Sequence, residues 1–265
     1  MGIVAKIDST KYVCNTLFLL YVFIMSASLN LGFVDTAMVA QATTVIISGI
    51  TMHYAWNRIS DVPPLQEKSE KESLISCGFR KMNETCAEVR AKNRPLMYIL
   101  LSTVFTNPVF ASYLIVGPTF GKEYLGFNST ESALAIVITY AAAAPGAMLS
   151  KYLAKKTNTL WSLRFFSILV FFNACFCAVF VTGSNVKALG YTFFTMFGLC
   201  LGGYYSAEIA LVASIIPYEQ EAHFTGTYAF AIRVCIWLPP LLYTALNENG
   251  FGKLTLKSIL KHLYF

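Results

Sequence analysis

The sequence predicts an all-α protein, a polytopic bundle of about seven membrane-crossing helices. Apolar stretches near the 20 residues needed to cross about 30 Å of hydrocarbon recur seven times along its 265 residues. Hydrophobic residues make up 56% of the chain and charged ones 13%, a balance that would leave a water-soluble domain with large sticky patches. No alternating strand pattern competes with these stretches.

The spans are read at residues 12–31, 36–56, 96–117, 132–149, 161–181, 189–216 and 227–246. The first is too long for a signal peptide and lacks a small-residue cleavage site, so it stays as an anchor. The second ends near His53 and Trp56, residue types that anchor helices at the interface. The third holds Asn107 beside Pro108, where a buried polar side chain needs a partner. In the fourth, Ala141 to Ala144 precede Pro145 and Gly146; the fifth opens at Trp161; the sixth carries Gly198, Gly202 and Gly203, small residues that let helix backbones approach closely. The seventh contains Pro239 and Pro240. Pro145 and this pair each remove backbone hydrogen bonds and bend or break a helix, marking either a cavity or hinge or a kink made for close helix contact.

The connection 57–94 divides residues 1–56, with two spans, from residues 95–252, with five. Its first part, 61–72, is polar and proline-containing and reads as a linker. Beyond it Leu74, Ile75, Phe79, Met82, Cys86 and Val89 recur at helical spacing among charged residues, the pattern of an amphipathic helix on the membrane surface. The other connections are short, so successive spans are antiparallel neighbours.

Lys and Arg fix the orientation, since cytosolic loops carry their excess. A cytosolic N-terminus places Arg58, Lys68, Lys71, Arg80, Lys81, Arg90, Lys92 and Arg94 on one side, joined by Lys151, Lys155 and Lys156. Asn128 then starts a sequon (Asn128-Ser129-Thr130) on the opposite side, where it is a glycosylation candidate, whereas Asn83 is cytosolic. The net charge of +6 is a topology signal and needs no nucleic-acid partner. The partners expected are the lipid bilayer and a small-molecule substrate.

Ionisable groups inside spans are costly and therefore informative. Glu208 lies about 13 Å inward from one end of the sixth span, and Arg233 about 10 Å inward on the seventh, at matching depth. They are expected to pair, as a static strut or as a pair that opens when helices move. Tyr204, Tyr205 and Ser206 surround Glu208 in sequence, and with Asn107 they make a candidate cavity lining. An enzyme is not expected: there is no His-Glu-X-X-His pair, nucleophile elbow or phosphate loop. The seven cysteines show no metal spacing, so neither a metal nor another cofactor is implied. A G-protein-coupled receptor would need the opposite orientation.

Several segments carry a resemblance. Residues Trp56-Asn57-Arg58-Ile59-Ser60-Asp61-Val62-Pro63-Pro64, then Gly78-Phe79-Arg80-Lys81 and Trp161-Ser162-Leu163, lead up to the most specific stretch, Ile216-Pro217-Tyr218-Glu219-Gln220-Glu221-Ala222-His223-Phe224-Thr225-Gly226-Thr227-Tyr228-Ala229-Phe230. Together with Trp237-Leu238-Pro239-Pro240-Leu241 these resemble the autophagy-related vacuole effluxer family of the major facilitator superfamily, over roughly residues 36–250. The resemblance implies two six-helix halves, alternating access, and export of amino acids from the vacuole, in the vacuolar membrane. It also implies that helices one to four and the twelfth are not among these residues, the basic tail 253–265 being no substitute, so that the sequence is a truncated transporter or one that pairs with another subunit. Glu208-Ile209 stands where bacterial-type relatives carry Ser-Arg, so no family site residue carries over there. A non-transporting scaffold or sensor using residues 61–94 to bind cytosolic partners is the alternative.

Overall fold

A computed structural model of the chain describes residues 2–29, 33–58, 73–92, 94–123, 125–180, 187–216 and 221–248. The expected linker at 61–72 and basic tail at 253–265 lie outside the described residues. Among these residues every regular element is an α-helix: α1 (Gly2–Ser28), α2 (Phe33–Trp56), α3 (Leu74–Lys92), α4 (Arg94–Glu123), α5 (Ser129–Lys156), α6 (Thr159–Phe180), α7 (Lys187–Ile215), α8 (Glu221–Arg233) and α9 (Leu238–Glu248).

Five helical stretches among the described residues are long and apolar enough to cross a membrane: Arg94–Glu123, Thr130–Lys156, Thr159–Cys177, Lys187–Ile215 and Phe224–Ala245. The two spans expected ahead of them fall on α1 and α2. Large apolar side chains stand exposed along these helices, Val45, Ile46 and Ile50 on α2 and Ile168, Phe171 and Phe172 on α6 among them. Such a surface is stable against lipid and not against water.

The chain divides into two compact units. One comprises residues 17–84, the C-terminal part of α1 with α2 and the first turns of α3. The other comprises residues 1–16 and 85–265, and within it α7 is the core. From Gly190 to Val212 most α7 side chains are buried. Helix α7 lies along α5 and α6, while α8 and α9 pack on α4.

The small residues of α5 and α7 set that contact. A Cβ added to Gly202 would overlap the carbonyl oxygen of Ala143, one on Gly198 that of Thr139, and one on Gly146 that of Leu199. Gly198 and Gly202 are one turn apart, so they form a flat strip on which the α5 backbone rests. The expectation that these glycines serve close helix approach is met.

Prolines act differently at the two expected sites. Helix α5 runs unbroken through Pro145, which is exposed. The seventh expected span is not one helix: it stops at Arg233 and restarts at Leu238. Pro239 and Pro240 have no N–H to give the carbonyls four residues back, and their rings crowd those carbonyls, yet both fit the first turn of a new helix. Shorter bonds close the intervening turn, from Ile236 N to Arg233 O and from Leu238 N to Cys235 O, and the Trp237 Nε1–H donates to Val234 O at 2.8 Å.

The α4–α5 connection turns at Gly126, whose φ of 63° a side chain would disfavour. Asn128 then caps α5: its Oδ1 accepts from Glu131 N at 2.9 Å, and Glu131 Oε2 accepts from Asn128 N at 2.9 Å. Lys187, opening α7, donates to both Glu131 oxygens at 2.9 and 2.7 Å. Asn128→Ala is expected to lower stability by about 1 kcal/mol in a detergent melt. Asn128→Asp keeps the acceptor and removes the sequon, so it is expected to match the parent; an equal loss in both variants would assign the effect to a glycan.

Candidate functional site

Positions 103 and 107 on α4, and 204 and 208 on α7, are each one helical turn apart, so each pair shares a face. The two faces meet. The Thr103 hydroxyl donates to Glu208 Oε1 at 2.7 Å, and Asn107 Nδ2 reaches the same oxygen at 3.4 Å while also reaching the Thr103 carbonyl at 3.4 Å. Next to them Tyr204 Oη and Thr106 Oγ1 are hydrogen-bonded at 2.7 Å. Thr103, Asn107 and Glu208 are each 1% exposed.

The Thr103 and Asn107 bonds both fall on Glu208 Oε1. Its Oε2 and the hydroxyl of Tyr228 on α8 are also buried, and neither has a closer polar partner. Tyr228 and Glu208 interact with each other, the phenol as donor and the carboxylate as acceptor. Phe110 packs beneath the cluster, its ring centroid 4.8 Å from that of Tyr204 and 5.3 Å from that of Tyr205.

A cavity of about 550 Å³ opens onto Glu208 between α4, α6 and α7. Thr103, Tyr204 and Glu208 form its inner wall, Leu163 and Leu211 its apolar sides, and Arg94 and Arg164 its outer part. Both arginines are exposed, and Arg164 lies over the Trp161 ring. A second, almost wholly apolar cavity of about 410 Å³ lies nearer the other end of α4, walled by Tyr113, Phe120, Phe193 and the restarted helix at Pro239.

Of the five expected cavity residues, Tyr204 and Glu208 line this cavity, while Asn107 and Tyr205 lie beside them, Asn107 on Glu208 Oε1 and Tyr205 against Phe110, without lining it. Arg233 is not among them: its side chain is exposed, and no ion pair joins it to Glu208 among the described residues. The reason lies in helix phase. Tyr228 is the α8 residue near Glu208, and Arg233, five positions later, is about 140° around the helix from it. Counting residues along each helix addresses only the expected depth of the two charges and leaves their azimuths free.

Sequence reasoning missed Thr103, Thr106, Tyr228 and Asp8. Thr103 and Asn107 at four-residue spacing are a polar pair in an apolar span, a signal that would have found the α4 face. Asp8 lies ahead of the expected first span, yet its carboxylate is 5% exposed and accepts from the Ser206 hydroxyl at 3.0 Å. Ser206 and Glu208 are two positions apart and face away from each other, so α7 carries a buried carboxyl contact on two sides.

The sequence model of the Major Facilitator Superfamily matches residues 15–238. The chain belongs to that superfamily. Its members are membrane transporters of small solutes, and the α4–α6–α7 cavity lies inside the matched region. Among curated proteins and among solved structures nothing matches the chain.

Proposed function

We propose that this Major Facilitator Superfamily protein moves amino acids from the vacuole to the cytosol by alternating access, in service of autophagy, and that the cavity between α4, α6 and α7 is part of the solute path. The observation that carries the solute path is the cavity itself. A cleft of about 550 Å³, open at Arg94, Tyr98 and Leu160 and closed at its inner end by a buried carboxyl group, has the size and the single polar anchor of a small-solute site. It opens between the starts of α4 and α6 and the end of α7, which the charge rule assigns to the cytosolic side. Its apolar sides suit an aliphatic or aromatic side chain, and Arg94 and Arg164 suit a carboxylate. Amino acids as the solute, and the vacuole as the site, rest on the resemblance of the segments 56–64, 216–230 and 237–241.

The test is efflux of labelled leucine or tyrosine from vacuolar vesicles containing the protein. Efflux above that of vesicles lacking it is expected, with a severalfold loss in Arg164→Ala. Efflux equal to the control defeats the amino-acid assignment. The orientation is checked separately: a glycan on Asn83 and none on Asn128 would reverse it.

A further inference from the structure

Helix α3 takes no part in the proposed solute path. Positions 75, 79, 82, 86 and 89 follow one another at intervals of four, three, four and three residues, so Ile75, Phe79, Met82, Cys86 and Val89 belong to one face. One end of that face is covered: Val89 is 2% exposed and packs with Leu96 of α4 and Phe224 of α8. Further along, Phe79 is 61% exposed, and Cys86 is exposed as well. A lone exposed phenylalanine means little, but a stripe at helical spacing needs an apolar cover.

Charge and position choose that cover. Helix α3 carries Arg80, Lys81, Arg90 and Lys92 against Glu84 and Glu88, an excess of two positive charges. Arg80 has Glu84 one turn on, at 3.9 Å. Arg90 is exposed and stands about 20° around the helix from Phe79, so its stem can run along lipid with its head at a phosphate. Helix α3 ends at Lys92, and Arg94 opens a stretch long and apolar enough to cross the membrane. The helix is therefore tethered to the bilayer surface, on the side that the charge rule makes cytosolic, where acidic phospholipids concentrate. Such a surface offers hydrocarbon to the stripe and phosphate to the basic residues at once.

We propose that α3 is a reader of acidic phospholipids. Phe79, Met82 and Cys86 enter the cytosolic leaflet, the basic residues of the helix hold lipid phosphates, and Val89 fixes its inner end to the bundle. A helix held by its apolar stripe alone would be indifferent to headgroup charge. Each charge near an acidic surface strengthens attachment about fivefold, so an excess of two gives roughly 25-fold. The attachment is independent of which solute, if any, the cavity carries.

The test is hydrogen exchange of the full chain in nanodiscs of phosphatidylcholine, with and without about one-third phosphatidylserine. A 19-residue helix is marginal in water by itself, so the amides of residues 77–84 report attachment, while those of 85–92 are steadied by Val89 in either lipid. Phosphatidylserine is expected to slow exchange at 77–84 at least tenfold and to leave α7 unchanged, and added salt is expected to reverse the effect. Lys81→Gln combined with Arg90→Gln is expected to abolish the difference between the two lipids. Phe79→Ser is expected to speed exchange at 77–84 in both. Equal exchange in the two lipids overturns the proposal and leaves the stripe to a protein partner. Equal slowing along α7 also overturns it, by assigning the effect to the stability of the whole bundle. So does the same slowing by soluble inositol hexakisphosphate in neutral nanodiscs, which would assign the charge to a free phosphate, or an undiminished lipid difference in the double variant.

Discussion

Gly202→Ala destabilises the protein, and Gly202→Leu prevents the α5–α7 bundle from forming. On an isolated helix the alanine variant would gain about 1 kcal/mol, because glycine is the poorer helix former. Here the sign reverses, since the first carbon of any side chain at 202 overlaps the carbonyl oxygen of Ala143, an atom of backbone that cannot rotate away. Overpacking of this kind costs about 1 to 3 kcal/mol for a methyl group and more for leucine, which has to push two helices apart along much of their shared length. Gly198→Ala is expected to behave likewise against the Thr139 carbonyl. Gly226→Ala is the control: a Cβ there meets nothing within 4 Å, so helix propensity alone acts and the variant is expected to be neutral or slightly more stable. Detergent melts of the four variants decide the matter, and Gly202→Ala stabilising the chain would overturn the close-approach account.

Thr103→Val is expected to cost about 2 kcal/mol, the usual worth of a hydrogen bond to a charged group, and to cost almost nothing once Glu208 is replaced by leucine. The two residues share a 2.7 Å bond, so the double-variant cycle should return a coupling of about 1.5 to 3 kcal/mol. Glu208→Leu by itself removes a buried carboxylate rather than stranding one, and such exchanges are commonly neutral or stabilising. Transport, in contrast, is expected to fall to background. Stability kept while activity is lost is the signature of a residue held for function. Additive losses in the cycle, or full transport by Glu208→Leu, would show that the cluster is only a polar strut.

Much of this could be read from the residues. Helices were legible because each apolar run is long enough to cross a bilayer, and α3 because its apolar positions recur at helical spacing. Gly198, Gly202 and Ala141 to Ala144 announced a close contact, which the backbone meeting of α5 and α7 supplies. Asn107, Tyr204 and Glu208 stood out as polar groups in apolar spans, and they lie at one site. Arg233 stood out for the same reason and lies elsewhere. The break between α8 and α9 was legible as an event at Pro239 and Pro240, but not as a restart at Leu238.

The sequence by itself determined the helical class and the apolar character of the spans, because the bilayer imposes length and polarity on every segment separately. Only the tertiary structure decided partners: that Glu208 meets Thr103 and Asn107 instead of Arg233, that Asp8 reaches Ser206 across 198 positions, and that a cavity remains beside them. Hydropathy reports how deep a residue sits and says little about which way its helix is turned. In lipid, where apolar faces on every side are equally well solvated, rotation is settled by small-residue contacts and a few hydrogen bonds.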